Sequence, residues 1–128
     1  TWGHKNVGET PYDDLVRDTE RWFEYVSPLI GETDAIIFAH GADIASGAYT
    51  SDNDKYTYLK SKGFDIYCPV DSQAYTTTVT SEYLHQGRRN LDGYRIYHDA
   101  ISDNPMTADL FDANKVLDPD RPLPVPDL

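Results

Sequence analysis

Residues 34–70, DAIIFAHGADIASGAYTSDNDKYTYLKSKGFDIYCPV, decide the fold. Asp34 to Ala39 (DAIIFA) is a short apolar run bounded by turn residues, which is the pattern of a buried strand. The small residues of Gly41–Thr50 form a loop. Ser51-Asp52-Asn53-Asp54 then offers a helix cap, a short helix runs to Lys62, and Gly63 stops it. Phe64 to Val70 (FDIYCPV) reads as a second strand. Strand, loop, helix and strand within 37 residues make a βαβ unit, whose crossover demands parallel strands.

Upstream, Thr1–Glu9 has glycines at 3 and 8 and no periodicity, so it reads as a loop. Thr10-Pro11-Tyr12-Asp13 looks like a helix start, with Thr10 as the cap, Pro11 at the first helical position and Asp13 facing the positive end of the dipole. Leu15, Trp22, Phe23, Val26, Leu29 and Ile30 follow at helical spacing; Pro28 kinks or ends the helix near Ser27, and Gly31 closes it. The expected packing sets Trp22, Phe23, Val26 and Leu29 against a sheet whose core residues are Ile36, Ile37, Phe64 and Ile66. Downstream, residues 76–80 and Tyr83–Gln86 read equally as strand or loop, and Leu91 to Ile101 as helix or strand. From Asp118 the stretch DPDRPLPVPDL holds four prolines and reads as an extended tail, which leaves residues 1–117 as the folded part.

A length of 128 residues is about one domain and can bury a single core, and 39% hydrophobic with 26% charged residues is a globular balance. No apolar run approaches the roughly 20 residues of a membrane helix. The lone cysteine, Cys68, excludes a disulfide within the chain. The net charge of -11 is spread evenly, with 6 basic and 11 acidic side chains in residues 1–64 and 5 and 11 in the rest. A nucleic-acid surface needs a basic stripe, and the only basic cluster, Arg88-Arg89, is too small for one. Paired surface arginines are usually just solvated, though these two could bind a carboxylate or sulfate. Ten tyrosines suit sugar contacts and ordinary half-buried packing alike.

Thr1-Trp2-Gly3-His4 matches the last four positions of the His-[Ser/Thr]-x-x-His motif of the polysaccharide deacetylase (NodB-homology) family. The order that follows, a helix, a short strand ending near Gly41, a helix containing YLKSKGF and a strand ending in Val70-Asp71-Ser72, also resembles that family's central and C-terminal portion. The resemblance covers residues 1–73 and little of the rest. It implies a partial (β/α) barrel, and removal of acetyl groups from N-acetylated sugars with a bound divalent metal, zinc or similar. It implies that His4 is a metal ligand, with the first histidine of the motif just before Thr1 and an Asp-Asp pair further upstream. Two histidines four apart can point their imidazoles at one ion, and an aspartate completes an open site that activates water. With one of those ligands in sight, this chain alone is expected to hold no complete metal site.

The block Phe38-Ala39-His40-Gly41 stands where the family has Arg-Pro-Pro-Tyr-Gly. Only Gly41 is kept, His40 takes the tyrosine's place, and no arginine stands in the block. The resemblance makes His40 and Gly41 substrate-binding residues, a main-chain amide there being a possible oxyanion donor. It makes Asp71, at the carboxyl end of a strand, a catalytic carboxylate that pairs with an imidazole. Arg95-Ile96-Tyr97-His98-Asp99 resembles the family's closing His motif and makes His98 the general acid, with His85 as its rival. The implied function is that of a fragment of a metal-dependent carbohydrate deacetylase, inactive in isolation, from an extracellular or bacterial cell-surface setting. The alternative is a non-catalytic carbohydrate-binding or interaction domain on the same scaffold. A barrel fragment leaves a sheet edge and an apolar face uncovered, so a dimer or a companion N-terminal fragment is expected.

Overall fold

Residues 2–44, 49–71, 76–118 and 120 are described in a computed structural model. They fall into two compact units, Thr1–Arg88 and Arg89–Leu128. In the first, helix α1 spans Tyr12–Tyr25, with Asp13 and Asp14 in its first turn. Thr10 does not cap it. Pro11 holds the N-cap position, and the Thr10 hydroxyl donates to the Asn6 carbonyl at 2.6 Å, which also accepts from the amides of Glu9 and Thr10. The local turn at Asn6 outcompetes the cap for that hydroxyl. After Val26 the chain continues as a separate one-turn helix, α2 (Ser27–Ile30), with Pro28 in its first turn and Gly31 ending it at φ +87°. Leu29 is 82% exposed and Ile30 64% exposed, against the expectation that Leu29 packs on the sheet. The break at Val26 ends the register of α1, so its apolar stripe does not carry on into α2.

Strand β1 (Ala35–Ile37), helix α3 (Asp54–Ser61) and strand β2 (Ile66–Cys68) form the βαβ unit. β1 and β2 are parallel, with Ile36 opposite Tyr67. Asn53 caps α3, its side chain accepting from the Tyr56 amide at 3.1 Å. Gly63 ends the helix at φ +92°. The ambiguous stretches downstream become β3 (Thr77–Val79) and β4 (Leu84–Gln86). β4 lies parallel to β2 and antiparallel to β3, which gives a four-stranded, mostly parallel sheet of order β1-β2-β4-β3. The architecture is therefore mixed α/β.

One sheet face carries the core. Ile36, Tyr67 and His85 form a cross-strand row on it. Around this row pack Leu15 of α1, Tyr56 and Leu59 of α3, and Val7, Phe38 and Phe64, with Trp22 and Phe23 partly buried against them. The Tyr67 hydroxyl, fully buried, donates to the Phe64 carbonyl at 2.6 Å, as a buried phenol requires. The other face is different: Ile37 is 62% exposed and Val79 74%, with Ile66, Cys68 and Leu84 half-buried between them. Ile37 and with it Ile66, half-buried on this face, are thus corrections to the expected core. Residues in a strand alternate between faces, so Ile36 and Ile37 cannot both face α1 and α3.

In the second unit, helix α4 (Gly93–Ala100) is capped by Asp92, whose carboxylate accepts from the Arg95 amide at 2.8 Å. Helix α5 (Ala113–Val116) is capped by Asp112. Arg89 pairs with Asp109 at 2.5 Å. Apart from Asp118 and Asp120, the expected Pro-rich tail of 118–128 lies outside the described residues.

Candidate functional site

β1, β2 and β4 run the same way, so their carboxyl ends share one side of the sheet, where open α/β sheets carry their sites. A turn of 3-10 helix, Ala39–Gly41, follows β1 and carries His40 and Gly41. Gly41 sits at φ +71°, and a Cβ there would come within 2.8 Å of the Val70 Cβ. Only a glycine lets the two strand ends approach this closely. Asp71, the next residue after Val70, donates its amide to the Arg88 carbonyl at 2.9 Å, and its side chain lies against Gly87. Arg88 turns its guanidinium back over the strand ends: Nη2 donates to the Phe38 carbonyl at 2.7 Å, and Nε to the Cys68 carbonyl at 3.4 Å.

His4 joins this end from the N-terminal loop. Its ring lies edge-on to that of His40, with centroids 4.9 Å apart, and its carbonyl is 2.8 Å from His40 Nε2, which serves as donor. Both rings are exposed. His4 (φ 51°) and His40 (φ 57°) are the only non-glycine residues with positive φ among those described. A left-handed backbone costs a side-chain-bearing residue about 1–2 kcal/mol, and such strain concentrates at functional sites. Here the two strained residues touch. The structure thus brings His4, His40, Gly41 and Asp71 to one end of one sheet, although His4 and Asp71 stand 67 positions apart.

His98 belongs to the second unit. It is exposed on α4, its ring against those of Tyr94 at 4.2 Å and Tyr97 at 5.6 Å. Its neighbour Asp99 is buried and accepts from the Thr107 hydroxyl at 2.5 Å and from the amides of Thr107 and Met106. The Thr107 hydroxyl holds the Asp99 carboxyl below the usual carboxylate range.

Sequence reasoning missed three features. Asp18, on the polar side of the helical pattern, is only 5% exposed and accepts the amides of Trp2 at 2.9 Å and Gly3 at 2.6 Å. Asp43, in the loop after Gly41, meets His85 of β4 at 3.0 Å, the one histidine–carboxylate pair among the described residues. Its other oxygen accepts the Tyr49 hydroxyl at 2.6 Å and the Ile44 amide at 2.7 Å. Burial and the hydrogen bond to Asp43 push the Tyr49 hydroxyl far up, so it stays protonated. The third feature is the placement of Arg88. None of these has a local motif: Asp18 reaches Gly3 across 15 positions, Asp43 reaches His85 across 42, and Arg88 reaches Phe38 across 50.

The same residues bear on a metal. Among the described residues, no three of His, Cys, Asp and Glu come together as ligands. His4 offers an imidazole, but the nitrogen of its neighbour His40 that faces it is spent on a carbonyl. One such donor does not make a divalent centre, and the residues present do not fit a complete one. Chemically, the arrangement offers two exposed imidazoles, a nearby carboxylate and a guanidinium fixed on main-chain carbonyls. Comparison of the chain with family models, with curated proteins and with solved structures finds no match.

Proposed function

We propose that this chain is part of a carbohydrate deacetylase of the polysaccharide deacetylase kind, built as part of a (β/α) barrel. It would act on the N-acetyl amide or O-acetyl ester of a polysaccharide or peptidoglycan sugar. The observation that supports this reading is the contact of His4 with His40 at the carboxyl end of β1, where Gly41 packs on Val70, the residue before Asp71. In such a hydrolysis water adds to the acetyl carbonyl carbon, the bond to the sugar nitrogen or oxygen breaks, and the departing atom takes up a proton. In this reading Gly41 lines the acetyl end and Asp71 serves as the catalytic carboxylate. His4 would be one ligand of the divalent metal that such a reaction uses, and among the described residues no others join it.

The test begins with the reading frame immediately before Thr1. A His codon there and an Asp-Asp pair further upstream support the assignment. Acetate release from N-acetylated chitooligosaccharides by the protein as its gene encodes it should then require added metal and vanish in His4→Ala, with circular dichroism unchanged. Full activity in His4→Ala removes His4 from the reaction.

A second reading has its own support. Tyr83, stacked at 4.9 Å on the buried Tyr49, is half-buried in an open groove of roughly 500 Å³ rimmed by Ser51, Thr57, Thr80, Lys60 and Glu82. A flat phenol ring with hydroxyls around it suits a sugar ring, as a non-catalytic carbohydrate-binding domain would require. Metal-independent affinity for a chitooligosaccharide, lost in Tyr83→Ala and kept in His4→Ala, would favour this reading over the first.

A further inference from the structure

We propose that Asp18 and His40 are positioning residues, which clamp the loop carrying His4 from two different elements and set its imidazole at the carboxyl-end mouth. The significance of the clamp for a reaction rests on the deacetylase reading; the clamp itself does not.

The loop has no regular structure of its own to fix it, yet it is tied at successive points. The Asp18 carboxylate takes the amides of Trp2 and Gly3, one on each oxygen, from a side chain that α1 buries. Two amides aimed at one buried carboxylate satisfy its charge and fix two consecutive peptide planes. One residue on, His40 Nε2, from a different element, donates to the His4 carbonyl. Further along, Lys55 of α3 donates to the carbonyls of Val7 at 2.7 Å and Gly8 at 3.1 Å. His4 therefore lies between two anchors that come from different elements, and its left-handed backbone is what the anchors together impose.

His40 is itself held in a left-handed conformation, in the turn that Gly41 packs against Val70. The end of β1 thus dictates where its donor points. A side chain whose donor nitrogen is committed to a neighbour's carbonyl acts through that neighbour. This separates the role of His40 from contact with substrate, the role its position in the motif suggests. A ligand or catalytic imidazole is useful only within a fraction of an ångström of its working place, and residues behind it supply that precision.

The experiment compares wild type with Asp18→Asn, which keeps the buried volume but loses one acceptor, and with His40→Ala and His40→Gln. Glutamine retains a donor at the reach of Nε2. Nuclear magnetic resonance of the 128-residue chain reads the amide exchange of Trp2 and Gly3 and the amide–α-proton coupling of His4, which reports its φ. Asp18→Asn should speed exchange at one of the two amides by about tenfold, the scale of one lost hydrogen bond. His40→Ala should shift the His4 coupling away from its left-handed value, and His40→Gln should restore it. An unchanged loop in Asp18→Asn and His40→Ala, or identical behaviour of His40→Ala and His40→Gln, overturns the clamp.

The second arm uses the protein as its gene encodes it. His40→Ala should lower kcat for acetate release with KM unchanged, and His40→Gln should recover it. A rise in KM at constant kcat would place His40 on the substrate and overturn the positioning role. If the wild type releases no acetate under any metal, the deacetylase reading falls, and the resonance measurements alone decide the clamp.

Discussion

Gly41 and Gly63 share a positive φ but differ in what surrounds them. A Cβ at Gly41 meets Val70 at 2.8 Å, whereas one at Gly63 meets nothing within 4 Å. Gly63→Ala should therefore cost only the conformational penalty, about 1 kcal/mol. Gly41→Ala adds a clash with the β-branched Val70 side chain and should cost about 3 kcal/mol. Urea unfolding of the two variants checks the difference; equal costs would mean that the Gly41–Val70 approach is not tight. Asp99 makes a pH prediction. Its folded pKa is lowered, chiefly by the Thr107 hydroxyl, so its contribution is present above the unfolded carboxylate value of about 3.9 and is lost as pH falls through the folded one. The second unit should loosen on acidification below about pH 4, read as accelerated exchange of the Thr107 amide, and Asp99→Asn should remove that acid dependence. Neither effect can be read from a motif. The sequence marks Asp99 only as the neighbour of His98, and its partners stand seven and eight positions on.

At the level of elements, periodicity identified α1, α3, β1 and β2, because each has a local signal: an apolar stripe, an Asn or Pro at its start, a Gly at its end. The exceptions are instructive. Thr10 has the right chemistry for a cap, but the Asn6 turn claims its hydroxyl. Leu29 fits the heptad-like spacing of α1, but α1 ends at Tyr25, and Leu29 follows on α2, where no residue is buried. Leu29→Ser should accordingly leave stability within about 0.5 kcal/mol of wild type, the range for exposed positions. Leu15→Ala, at a side chain only 1% exposed, should cost about 2–5 kcal/mol. Thermal denaturation of the pair tests the helix break directly: a large loss for Leu29→Ser would mean that α2 packs. β3 and β4 were not legible as strands because three-residue segments with polar residues have no periodicity to detect. Their pairing with β2, through residues such as Tyr67 and His85, is what makes them strands.

For the whole molecule, the consequence of the sheet is its uncovered face. Ile37 and Val79 stand exposed on it, and among the described residues β1 has a partner on one edge only. Edges and apolar faces of this kind favour association. Sedimentation velocity at micromolar to millimolar concentration should show reversible self-association, weakened by Ile37→Lys without loss of the folded circular-dichroism spectrum. A single monomeric boundary at every concentration would show that the face does not drive assembly.

From its sequence alone this protein could be known to be α/β, with a parallel βαβ unit over residues 34–70, a helix before it and no apolar run as long as a membrane helix needs. Those properties follow from patterns a few residues long, repeated at the period of a helix or a strand. The sequence also marked His4, His40, Gly41 and Asp71, each by a short likeness. It could not say that His40 holds His4 by its carbonyl, that Asp18 holds the same loop by two amides, that Asp43 pairs with His85, or that Arg88 bridges the ends of β1 and β2. Nor could it say which of two adjacent isoleucines is buried. Each of these joins residues 15 or more positions apart, or depends on which sheet face a helix covers. Local spacing carries no information about such meetings; only the packing of α1 and α3 on one face of the sheet, and the shared direction of its three parallel strands, decides them.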